Sequence, residues 1–139
     1  MSVSGRVNYE FEGRYAWPAA LEERENIHPG GAVYALLAAQ PFPRLVGMTR
    51  ILYIGQTTHL GGNGNNVRLR DYRFHPINLP SGRIRTRIEV LIREQGWQVY
   101  LRWHAIGDRQ ERQNFEAELL RQHSQEHLEL PPFNGQGGV

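Results

Sequence analysis

Two short apolar runs, each carrying a tyrosine and each bounded by turn residues, constrain this chain more than any other feature. AVYALLAA at 32–39 follows the break His28-Pro29-Gly30-Gly31, and RILYIG at 50–55 ends on a glycine. Runs this short between breakers predict buried strands. The stretch QPFPRLVGMT between them holds two prolines and a glycine, which predicts a loop or wide hairpin connection and an antiparallel pair.

The remaining patterns are mostly helical. Trp17-Pro18 ahead of AALEERENI predicts a short helix with proline in its first turn. After the polar, glycine-rich QTTHLGGNGNN, the stretch NVRLRDYRF predicts a short helix closed by His75-Pro76. Ile84, Ile88, Leu91 and Ile92 mark one face of a helix stopped at Gly96, although RIRTRIEV alternates almost well enough for a strand. WQVYLRWHA at 97–105 has the aromatic and β-branched content of a strand. Asp108 with Glu111 makes a capping box that opens a helix from Arg109 to about His127. The tail FNGQGGV carries no periodic signal.

The resulting order predicts an α/β fold, a small three-stranded antiparallel sheet flanked by helices. A length of 139 residues suits one domain, with a core at about 30–134 and an N-terminal extension over 1–29.

Composition closes off several chemistries. With no cysteine, thiolate metal sites, disulfides and cysteine nucleophiles are excluded. All 16 basic side chains are arginine, whose planar fork suits phosphate, and they cluster at Arg68, Arg70 and Arg73 and at Arg83, Arg85 and Arg87. Glu22, Glu23 and Glu25 load the N-terminal part with acid, so the field is uneven. GGNGN lacks the lysine and hydroxyl residue of a nucleotide-binding loop. No stretch approaches the roughly 20 apolar residues that cross a bilayer. Residues 1–14 carry no signal-peptide run, so no membrane association and a cytoplasmic location are expected.

One residue of the last helix is out of place. At about 100° per residue, Glu116 falls between Leu119 and Leu120, inside the apolar stripe, while Glu118 points elsewhere. A carboxylate there needs a partner or a cation. Arg112, one turn earlier on the same face, would supply an ion pair.

These residues also form an ordered set. Val33-Tyr34 in GAVYALL and Tyr53-Ile54-Gly55 in RILYIGQ resemble the paired elements that name the GIY-YIG nucleases. Arg68-Leu69 resembles the arginine-leucine of that family's next helix, FEAELL with Glu116 its glutamate helix, and PPFN ending in Asn134 its closing element. The match spans residues 31–134. It departs from the family pattern at Ala32, where glycine is usual and Gly31 stands one place earlier, and at Tyr72, where histidine is frequent. The connection from Tyr34 to Tyr53 is also wider, and the long glycine-asparagine loop makes Arg70 a rival to Arg68.

The resemblance implies a metal-dependent endonuclease acting on DNA. Glu116 would hold one hard divalent cation, Mg²⁺ or in its place Mn²⁺, and Arg68 would contact the scissile phosphate. Tyr34 and Tyr53 would line the site of the attacking water, one of them as general base with positive charge nearby, and Tyr72 would assist. Gly55 and Asn134 would support the site, while Arg70, Arg73, His75, Arg83 and Arg87 would touch the DNA backbone. Specificity would come from loops, a homodimer or a partner protein. The alternative is a catalytically weak domain of the same fold that binds nucleic acid or protein.

Overall fold

The computed structural model describes residues 3–4 and 11–135, so the end of the glycine-rich tail, 136–139, lies outside the described residues. The hairpin forms from the two apolar runs, but both strands outgrow them. Numbering strands in chain order, β3 is Ala32–Pro43 and β4 is Met48–Thr57. The proline-containing stretch expected to be a loop is therefore largely strand. Its prolines are tolerated because β5 (Val99–Ala105) pairs with β3 only as far as Ala38. Beyond that point β3 has one neighbour, and its register with β4 slips between Leu37 and Phe42.

The sheet is larger than the three strands expected. A fourth, β2 (Gly13–Trp17), pairs antiparallel with β5, and the two-residue β1 (Val3–Ser4) runs parallel to β4, giving the order β1-β4-β3-β5-β2. The N-terminal extension is thus partly built into the sheet. Gly13 lies opposite Trp103, whose indole fills the space where a side chain on Gly13 would stand.

Helices cover both faces. α1 (Ala19–Glu22), with the 3₁₀ turn Arg24–Asn26, α2 (Arg68–Phe74) and α3 (Pro80–Gln95) lie on one; α4 (Arg109–His127) lies on the other. α3 stops at Gly96, which takes φ of 67°, as its place after the apolar stripe predicts. α4 begins where Asp108 accepts a hydrogen bond from the Glu111 amide at 2.9 Å.

Alternation along the strands sorts the core into two layers. Tyr34, Leu36, Leu52 and Leu101 pack with Leu21, Leu69, Tyr72, Ile84 and Ile88 from the first three helices. Val33, Ala35, Leu37, Ile51 and Ile54 pack with Phe115, Leu119 and Leu120 of α4. Full burial of each large aliphatic side chain contributes about 1.5–3 kcal/mol. Leu36 pairs with Tyr53 but Leu37 with Ile51, so Leu52 is an extra residue in β4. This bulge lets neighbours Leu52 and Tyr53 both join the first layer. Among the described residues, no helix is long and apolar enough to cross a membrane.

Candidate active site

At one level of the sheet the register aligns Gly55, Tyr34, Trp103 and Gly13 from β4, β3, β5 and β2. Two large rings therefore stand between two glycines. A Cβ on Gly55 would lie 2.7 Å from Tyr53 Cε2 and 2.9 Å from both Tyr34 Cζ and its hydroxyl. Gly55 is thus the space into which Tyr34 and Tyr53, one from each element, both lean.

The bulge and the start of α2 complete this cluster. Leu69 is fully buried and anchors α2, which brings Tyr72 under the sheet and Arg68 to the rim. The hydroxyls of Tyr34 and Tyr72 are 2.9 Å apart, and the Tyr34 ring is 6.1 Å from that of Tyr53 and 6.3 Å, edge-on, from that of Tyr72. Trp17 of β2 closes the far side, its ring 5.5 Å from Tyr72. The sequence did not mark Trp17 for this place; it stood there only as the residue before Pro18 at a helix start.

Electrostatics separate the three phenols. Burial pushes Tyr34 well above its ordinary value, with the neighbouring phenols adding to the rise and Arg68 opposing it. Burial likewise pushes Tyr72 far up. Tyr53 is raised less: burial lifts it, Arg68 pulls it down, Glu116 lifts it and hydrogen bonding from Tyr34 lowers it. Both inner phenols are therefore firmly protonated, and Tyr53 is the one balanced between opposing charges.

Arg68 is a cation without an adequate anion. Burial pulls its pKa down, but Tyr34, Tyr72, Asp71 and Tyr53 more than offset this. Its nearest carboxylate, Asp71, is 4.0 Å away, beyond hydrogen-bond reach. Its Nε is buried with no hydrogen-bond partner among the described residues. Such a donor costs free energy unless something accepts from it.

Glu116 does not pair with Arg112. Arg112 is buried and turned to the β5–α4 connection, where it donates to Ile106 O at 3.2 Å, Gly107 O at 2.8 Å and Gln56 Oε1 at 3.2 Å. Gly31 makes room for it, since a Cβ there would collide with the guanidinium. Glu116 is left half-buried among Phe115, Leu119 and Leu120, with no hydrogen bond or ion pair among the described residues, and burial raises its pKa. α4 packs on the face opposite the tyrosines, so Glu116 connects to them through its field on Tyr53.

The other expected residues divide. Asn134 clamps β4 between the two key positions: its Oδ1 accepts from the Ile54 amide at 2.9 Å and its Nδ2 donates to Ile54 O at 2.8 Å. Arg70 lies over the exposed ring of Phe74, not against the tyrosines. Arg73 pairs with Glu22 at 2.7 Å and His75 with Asp71 at 3.2 Å. Arg83 donates to Asn78 O at 3.2 Å, and Arg87 sits 6.0 Å from the Phe133 ring. Arg85, outside the expected set, ties α3 to the end of α2 by donating to Tyr72 O, Arg73 O and His75 O. The glycine-asparagine loop borders a hollow of about 270 Å³ that ends at Val67, next to Arg68.

No family model matches the chain, and neither does any curated protein or solved structure. The site therefore has to be read from its own chemistry. Among the described residues no three histidine or acidic side chains gather as a metal cage. Glu116 alone, half-buried and unpartnered, fits a hydrated hard cation that takes one carboxylate and keeps its waters.

Proposed function

We propose that this protein is a metal-dependent endonuclease of the GIY-YIG type that hydrolyses DNA phosphodiester bonds at the Tyr34–Tyr53–Tyr72–Arg68 cluster. The observation that carries the proposal is Arg68, a rim guanidinium with an unpartnered buried Nε and three phenols around it. Phosphate is the anion that matches such a fork.

In the reaction a water oxygen adds to phosphorus while the bond to the leaving sugar oxygen breaks; water loses a proton and the leaving oxygen gains one. Arg68 holds a non-bridging phosphoryl oxygen and offsets the charge that grows there. Tyr34 and Tyr72 are protonated and hydrogen-bonded to each other, so one O–H of the pair is left to donate to the group in front of it. Tyr53 is the base, because it is less buried than the other two and lies under the opposing fields of Arg68 and Glu116. A divalent cation held by Glu116 would supply charge neutralisation for the phosphoryl group. The positive charge of such a cation near Glu116 would also favour the phenolate form of Tyr53, the form that accepts the water's proton.

The test is nicking of supercoiled and branched DNA with Mg²⁺ or Mn²⁺. Glu116→Gln and Arg68→Gln are each expected to lose about 100-fold or more in rate, the scale of a lost electrostatic contact in the transition state. Equal cleavage by wild type and Glu116→Gln would overturn the proposal.

A further inference from the structure

The last residue of α2 is an exposed aromatic ring set among positive charges. Phe74 is 56% exposed, and the guanidinium carbons of Arg73, Arg70 and Arg24 lie 5.1, 5.2 and 5.6 Å from its ring centroid. Of these cations only Arg73 has a carboxylate partner among the described residues, Glu22 at 2.7 Å. Arg24 Nη1 donates to a backbone carbonyl, Leu21 O, at 2.7 Å, which holds its guanidinium without cancelling its charge. A hollow of about 640 Å³ opens beside the ring, with Phe74, Pro18 and Pro76 among its lining residues. Ile77, 60% exposed, extends the apolar surface past the helix.

Phe74 lies outside both core layers, and arginine frames its ring while more than half of it stays exposed. Its surroundings suit a flat, aromatic group carried on a polyanion. Stacking on aromatic rings and guanidinium planes is how proteins hold unpaired bases, with flanking phosphates on the cations. Phe74 follows Arg68 by six residues, about 9 Å along the axis and about a third of a turn round the helix. That is roughly two to three stacked nucleotides at about 3.4 Å each. A strand must curve round α2 to reach both, which an unpaired strand does easily and a duplex does not.

We propose that Phe74, with Arg24, Arg70 and Arg73, is a stacking site for an unpaired nucleobase beside the strand held at Arg68. The substrate is then DNA with a single-stranded stretch at the cut. This rests on the nuclease reading of the Arg68 site.

The test is fluorescence anisotropy without divalent metal and at fixed salt. It uses a short fluorescein-labelled oligodeoxythymidine, an abasic strand of equal length, and a blunt duplex. Phe74→Ala is expected to weaken binding of the oligodeoxythymidine by about 5- to 150-fold, the effect of losing one base–aromatic stack. Phe74→Trp should restore it, and neither substitution should change binding of the abasic strand or the duplex. Unchanged oligodeoxythymidine binding by Phe74→Ala, or an equal loss on the abasic strand, overturns the stacking site. Circular dichroism checks that the variants fold. The nicking comparison with Glu116→Gln is read separately: loss there with unchanged Phe74→Ala binding removes the stacking site alone. Absence of both nicking and DNA binding removes both readings.

Discussion

Gly55→Ala isolates the geometry of the tyrosine pair with one methyl group. Gly55 does not have positive φ, so its backbone accepts alanine, and relief of glycine's chain entropy alone would stabilise the fold by about 0.5–1 kcal/mol. The space decides otherwise. The new Cβ would lie 2.7 Å from Tyr53 and 2.9 Å from Tyr34, so both rings must withdraw by about 0.6–0.8 Å to reach ordinary contact. Tyr34 cannot move freely, because it is buried and tied to Tyr72 at 2.9 Å, so most of the adjustment falls on the half-buried Tyr53. Overpacking of this kind costs about 1–3 kcal/mol, leaving a net loss near 1–2 kcal/mol after the entropy gain. Urea unfolding should show a midpoint lowered by roughly 0.5–1 M with unchanged slope. Nicking should fall by about 100-fold, since displacing positioned groups by nearly an ångström has that effect. A variant that is more stable than wild type and cuts normally would refute the account of the cluster.

The other predictions concern what surrounds it. Arg112→Leu should cost about 2–4 kcal/mol by orphaning the Ile106 and Gly107 carbonyls, while Glu116→Gln should cost nothing; urea titration of both checks this, and equal losses would restore an Arg112–Glu116 pair. Asn134→Ala removes both hydrogen bonds to Ile54 and should cost about 1–3 kcal/mol, with faster hydrogen exchange appearing first at β4 amides. Buried His123 is pulled down to about 4 by desolvation, facing His127, Arg44, Glu126 and Glu129, and is held by Thr49 Oγ1 at 3.0 Å and Glu129 O at 2.8 Å. Its folded pKa lies below the unfolded value near 6.5, so stability is full above about pH 6.5. It falls by about 3 kcal/mol as the unfolded chain takes up a proton towards pH 4. His123→Gln should flatten that part of the pH profile of urea stability, and an unchanged slope would sink the assignment.

What the sequence revealed follows from the range of its signals. α4 begins and ends where Asp108 and the apolar stripe put it, and Gly96 stops α3, because caps and periodicity act within a few residues. β2 was hidden because its partner is β5: Gly13 pairs with Trp103, and no local turn announces such a strand. The extension of β3 through Pro43 was hidden because proline marks a break only where both sides of a strand are paired. At the site, Tyr34, Tyr53 and Gly55 could be read as a group, since one register places them together. Arg112 could not be read: helical spacing offered it to Glu116, whereas the carbonyls that hold it belong to the turn before the helix. Trp17 and the Phe74 cluster depend on contacts between α2 and the N-terminal segment, which no spacing encodes.

The Asn134 clamp has a consequence for the order in which the molecule becomes competent. The strand bearing Tyr53 and Gly55 receives its last backbone partners from a residue 80 positions further on. As the chain is synthesised, the tyrosines emerge early, but beyond the short pairing with β1 the edge of their strand stays open until Phe133 and Asn134 appear. An open edge is adhesive, so a nascent or C-terminally clipped molecule exposes a pairing surface where the finished one has a sealed seam. The same two hydrogen bonds that steady the strand bearing Tyr53 thereby act as a late lock on assembly.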